Sequence, residues 1–165
     1  MRRLTLAAAA LLISGCASNV ARETACGRVH GASTWAYCLS GPTSANDVLY
    51  YLHGGTGSER SWSDKDMYAR PIEGEWQASG YPPPTVISVS LGRLWLLNPD
   101  RAREYVTKVI PAIESERRAA PRRRYLVGES MGGFNAIQLA MRHPSTFAKV
   151  AALCPGLLTL SPDAG

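Results

Sequence analysis

The strongest chemical signal in the chain is Gly128-Glu129-Ser130-Met131-Gly132. A serine hydroxyl is a poor nucleophile unless it is exposed, oriented and deprotonated by a neighbour. A sharp turn from a strand into a helix meets the first two needs. In such a turn the positions two before and two after the serine have no room for side chains, and here both are glycine. The short apolar run Tyr125-Leu126-Val127 precedes the turn, and a helical stretch with Phe134, Ile137 and Met141 on one stripe follows it. Ser130 is therefore the candidate nucleophile for acyl transfer through a covalent intermediate, with Gly128 and Gly132 as elbow glycines. The competing reading is a purely structural Gly-Ser-Gly turn.

Attack on a carbonyl creates an oxyanion that needs two hydrogen-bond donors. A helix starting just after Ser130 points backbone N–H groups at the reaction centre, which nominates the Met131 N–H. The second donor is expected from His53-Gly54-Gly55-Thr56-Gly57, where glycines let the backbone approach a substrate. The Gly55 N–H is the first choice there and Thr56 the alternative. His53 is expected to prop this loop by hydrogen bonding and not to act as a base.

These groups must be carried by elements. Val48–Leu52 is a continuous apolar run, suited to a strand covered on both faces, and Thr85–Leu91 is another, rich in β-branched residues. Ser33–Leu39 reads as an edge strand and residues 56–71 as a loop. Glu73–Ser79 reads as a short helix. Asn98, Pro99 and Asp100 form a helix start. Ala102, Val106, Val109, Ile110 and Ile113 then make one helical face, and Pro111 should bend it. His143-Pro144 ends the helix after Ser130, and Lys149–Cys154 is a last strand in which Cys154 packs. This alternation argues for an α/β fold, a mostly parallel sheet with helices on both faces.

The segments Val48–Gly55, Val109–Glu114, Gly128–Ala136, His143-Pro144 and Phe147-Ala148 together resemble the esterase D family of α/β-hydrolases. That family includes S-formylglutathione hydrolases, feruloyl and siderophore esterases, and mycolyltransferases. The resemblance covers about residues 33–156. It implies ester or thioester cleavage through an acyl-enzyme on Ser130, a small-molecule ester substrate and no cofactor. It also implies a triad in the order Ser, Asp or Glu, His. Here the chain departs from the pattern. His143 is the one histidine after Ser130 and Asp163 the one acid. His143 lies at the far end of the serine's own helix, about 20 Å away at 1.5 Å per residue. A family domain would need on the order of 100 further residues. The chain is thus expected to be a partial α/β-hydrolase lacking the C-terminal strands, with an open edge at Lys149–Cys154. A non-catalytic remnant or binding protein, and an acyltransferase, are the alternatives.

The N-terminus reads as a targeting segment. Met1-Arg2-Arg3 is basic, Leu4–Ile13 is apolar and too short to span a bilayer, and Ile13-Ser14-Gly15-Cys16 resembles a bacterial lipoprotein lipobox. The resemblance implies a signal peptide over 1–15 and lipidation of Cys16, which replaces the lost apolar anchor. A polar tether over 16–32 and the hydrolase domain over 33–165 follow. Ala17 and Ser18, with no aspartate after Cys16, imply the outer membrane, facing the periplasm. The alternative is an ordinary secretory signal with an incidental cysteine. Export means an oxidising compartment, so Cys26 and Cys38 are expected to pair, free thiols being the alternative. No Cys/His spacing suggests a metal site. Loss of Arg2 and Arg3 lowers the formal net charge from +5 to +3. The arginines at 117–118 and 122–124 are read as solvated, and no nucleic-acid motif accompanies them.

Overall fold

The computed structural model describes residues 23–64, 66–93, 97–117 and 120–156. Cys16, the 1–15 signal, the first part of the tether and Asp163 lie outside the described residues. Six strands form one sheet: β1 (Glu23–His30), β2 (Thr34–Ser40), β3 (Asp47–Leu52), β4 (Thr85–Ser90), β5 (Arg123–Glu129) and β6 (Lys149–Leu153). Their order is β1-β2-β4-β3-β5-β6. The first two pairings are antiparallel. The pairings from β4 through β3 and β5 to β6 are parallel. The helices are α1 (Ser61–Asp64), α2 (Asp66–Ala78), α3 (Pro99–Glu104), α4 (Ile110–Ser115) and α5 (Met131–Arg142).

Side chains alternate across the pleat, so each central strand feeds two cores. Trp35, Tyr50, Leu52, Ile87, Val89 and Leu126 pack on one face with Tyr105, Ile113 and Leu139 from the α3–α5 side. Tyr51, Val86 and Val127 pack on the other with Trp62, Ala69, Ile72 and Trp76 from α1 and α2. Burial on both faces explains why β3 and β4 read as continuous apolar runs. Among the described residues no helix is long and apolar enough to cross a membrane.

Several expectations need correction. Residues 23–30, expected as tether, form β1 and add a strand beyond β2, so β2 is interior and not an edge. An edge strand is held by backbone pairing on one side and needs little apolar burial, so its polar sequence gave no alternation to read. Cys26 and Cys38 face each other in the β1–β2 register and are joined by a disulfide. The hairpin is also tied to α3. The Glu104 carboxylate accepts the Ala32 N–H at 2.6 Å, the Ser33 N–H at 3.3 Å and the Trp35 indole N–H at 3.3 Å.

The expected loop over 56–71 contains α1, and α2 begins well before Glu73 and runs through Pro71. Proline removes one helical hydrogen bond. Burial of Ala69, Ile72 and Trp76 against the sheet outweighs that loss. Asn98 caps α3, its Oδ1 accepting the Arg101 N–H at 2.8 Å. The long helix does not simply bend at Pro111. It passes through a π-helical turn at Tyr105–Val109, closed by the Ile110 N–H on the Tyr105 carbonyl. The wider turn eases the clash a proline ring makes with the preceding turn.

Of the arginines read as solvated, Arg122 and Arg123 are exposed, and the reading is corrected for Arg117. Arg117 is buried, and one of its nitrogens bonds the Ala45 carbonyl. Arg123 pairs with Asp47 at 2.8 Å, and Arg124 holds both oxygens of Glu114 at 2.7 Å. Cys154, read as packed, is an exposed free thiol. β6 is the outermost strand of the described sheet, and its first three residues are exposed.

Candidate active site

β5 delivers Glu129, and α5 begins one residue after Ser130. Ser130 has φ 50 and ψ −115, a conformation that L-residues rarely adopt. The turn is as tight as the glycine spacing requires. A Cβ on Gly128 would stand 2.1 Å from the Gly132 carbonyl oxygen, and one on Gly132 would stand 2.0 Å from that of Leu52. The backbone of Ser130 is pinned on both sides. Its N–H donates to the Leu153 carbonyl at 2.9 Å. Its own carbonyl accepts from the Phe134 N–H at 3.0 Å and the Gly156 N–H at 2.9 Å. Ser130 is exposed while Met131 beside it is buried.

The parallel register pairs Leu52 with Gly128, so the loop after β3 and the turn after β5 leave the sheet side by side. A Cβ on Gly54 would lie 3.5 Å from Ser130 Cβ. The Gly54 N–H donates to Glu129 Oε1 at 3.2 Å. The Gly54 carbonyl accepts from the Gly57 N–H at 2.9 Å and from His53 Nδ1 at 2.6 Å. A carbonyl can only accept, so His53 Nδ1 carries a proton. His53 Nε2 lies 2.8 Å from Ser90 Oγ, which also accepts the Gly92 N–H at 3.0 Å. Both ring nitrogens of this fully buried imidazole are thus engaged in holding the loops after β3 and β4. His53 is a prop. A similar tie joins the next loop to α5, where buried Asn135 Oδ1 accepts the Leu97 N–H at 3.0 Å.

The rings of His30 and His53 are hydrogen-bonded to groups other than Ser130. His143 caps the far end of α5. His30 ends β1 at the opposite edge of the sheet, 3.3 Å from Thr34 Oγ1. Among the described residues no cluster could hold a metal ion. A cavity of about 530 Å³ lies on the α2 side, lined by Leu49, Trp76, Tyr81, Tyr125 and Val127, and it does not include the serine. The ties made by Glu129, Ser90 and Asn135 were not foreseen from the sequence. Each depends on which strands and loops become neighbours.

Residues 99–162 match the family described as Putative esterase. No curated protein matches the sequence. Among solved structures, a ferulic acid esterase is similar with a TM-score of 0.65 and 23% identity, over 79% of this chain and 57% of that one. The S954A mutant of the feruloyl esterase module from Clostridium thermocellum, complexed with sinapinate, gives 0.65 and 18%, over 81% and 54%. An S-formylglutathione hydrolase from Agrobacterium tumefaciens gives 0.57 and 21%, over 79% and 57%. The fold is that of the α/β-hydrolases. The chain spans little more than half the length of these relatives.

Proposed function

We propose that this chain is the nucleophile-bearing part of a serine esterase that cleaves carboxylic esters or thioesters. The observation that carries the reading is Ser130 exposed at positive φ between two glycines that tolerate no Cβ, with Gly54 against it. In this reading Ser130 Oγ attacks the substrate carbonyl carbon while a base takes its proton. The oxyanion is held by the Met131 and Gly55 N–H groups. Collapse expels the alcohol or thiol, which leaves with that proton, and water then releases the acid from the acyl-enzyme. Transfer of the acyl group to an acceptor other than water would use the same serine. In this reading the base is a residue other than His30, His53 and His143, and the engagement of these histidines elsewhere also supports a second reading, a non-catalytic protein built on the same fold.

One experiment separates the two. The 165-residue chain should label with a fluorophosphonate probe no faster than its Ser130→Ala variant. A chain extended by its in-frame downstream sequence, carrying an Asp and a His, should label rapidly and hydrolyse p-nitrophenyl acetate only when Ser130 is present. An extended chain with both residues that stays unreactive would overturn the esterase reading. The small-molecule ester would be met at a membrane surface, with Cys16 carrying the lipid and the protein facing the periplasm from the outer membrane. Radiolabelled palmitate should enter the protein and be lost in Cys16→Ala. Equal labelling of both would refute the anchor.

A further inference from the structure

We infer that Glu129, in the variable position before the serine, is a positioning residue that aims the Gly55 N–H. The inference rests on the reading of Ser130 as nucleophile and extends it to a residue that touches no reacting atom. The argument runs through one peptide plane. The Gly54 carbonyl and the Gly55 N–H belong to the same planar trans unit, so fixing one fixes the other in the opposite direction. That carbonyl is held by the Gly57 N–H at 2.9 Å and His53 Nδ1 at 2.6 Å. The preceding peptide plane is held by Glu129 Oε1, which takes the Gly54 N–H at 3.2 Å. Between the two planes lie only the φ and ψ of Gly54, the most permissive residue available. Without Glu129 the plane on the His53 side would keep its packing against Gly132 but lose the hydrogen bond on its N–H. With it, both soft torsions are set, the Gly54 amide is occupied, and the Gly55 amide is the next N–H along the loop. A Cβ at position 54 would come within 3.1 Å of the same carboxylate oxygen, so glycine there and glutamate at 129 fit each other. Charge-assisted hydrogen bonds to a backbone N–H are stronger than neutral ones.

Two measurements test this. The first is amide hydrogen exchange by NMR in wild type, Glu129→Gln and Glu129→Ala. Gly54 should exchange about tenfold faster in Glu129→Ala and return close to wild type in Glu129→Gln, which keeps an acceptor oxygen. The Ser130 and Phe134 amides should be unchanged in both. Equal Gly54 exchange in all three proteins would overturn the tie. The second, on the chain extended by its in-frame downstream sequence, is binding of an arylboronic acid, which forms a tetrahedral adduct with the serine. Its affinity should fall about tenfold in Glu129→Ala and recover in Glu129→Gln. If the adduct forms in wild type, is lost in Ser130→Ala and is unweakened in Glu129→Ala, the positioning role is wrong while the serine reading stands. If no Ser130-dependent adduct forms in wild type, the serine reading fails, and the exchange experiment alone decides the tie.

Discussion

Gly132 and Leu52 approach so closely that a Cβ on Gly132 would fall 2.0 Å from the Leu52 carbonyl oxygen and 2.7 Å from that of His53. The obstacle is backbone in the middle of the sheet and cannot move aside cheaply. Gly132→Ala should therefore cost at least the roughly 1–3 kcal/mol typical of overpacking. Gly74→Ala, on α2 with no atom within 4 Å of the added carbon, should be neutral or stabilising. Urea denaturation of both variants checks this, and equal midpoints would mean the turn has slack that the geometry denies.

Ser130 itself stores strain, since its φ of 50 and ψ of −115 suit glycine. Such residues cost of order 1–3 kcal/mol each. Ser130→Gly should be more stable to urea than Ser130→Ala by about 1 kcal/mol, despite the extra flexibility glycine gives the unfolded chain. A less stable Ser130→Gly would show the turn to be unstrained.

Acid should destabilise the protein through two carboxylates. Burial pushes Asp47 up, but hydrogen bonds from Arg123 and Tyr81 and the charges of Arg123 and Arg122 hold it below its ordinary range. Burial likewise opposes ionisation of Glu104, and Trp35, the Ser33 and Ala32 N–H groups and Lys108 outweigh it. Both are thus lower in the folded chain than in the unfolded one. Their stabilisation is complete above the ordinary carboxylate range of about 4 and is lost as pH falls through the lowered folded values. Asp47→Asn with Glu104→Gln should be less stable at pH 7 and show a shallower loss between about pH 4 and pH 2. An acid limb as steep as that of wild type would put the sensitivity elsewhere.

The Cys26–Cys38 bond closes a separation of 12 residues across the β1–β2 hairpin. Closing a loop of that size is worth about 2–3 kcal/mol through the unfolded chain. Cys26→Ser with Cys38→Ser should lose about that much in urea, and dithiothreitol should lower wild type to the same level without affecting the variant. Wild type that is indifferent to reduction would show the hairpin to be held by backbone pairing and Glu104 alone.

The parts legible in the sequence are those set by covalent geometry and local periodicity. The glycines at 128 and 132 announce a turn that excludes side chains. Asn98 and Pro99 announce a helix start, and the runs in β3 and β4 announce strands buried twice. β1 was not legible, because an edge strand held by backbone bonds carries no apolar signature. Nor was the first half of α2, where contacts of the helix with Tyr51 and Val127 override Pro71. Arg117 looked solvated because a cluster of arginines gives no sign of which one the fold will bury.

The sequence by itself determined the tight turn at Ser130, because two glycines around it act over five residues of chain, and it put His143 at the end of the helix that follows. Only the tertiary structure decided what stands around the serine. Pairing of Leu52 with Gly128 sets the His53 loop against the turn at Ser130, seats Glu129 on the Gly54 amide, and leaves His143 at the wrong end of α5. Those relations depend on parallel strands far apart in the chain becoming neighbours, which no local pattern encodes.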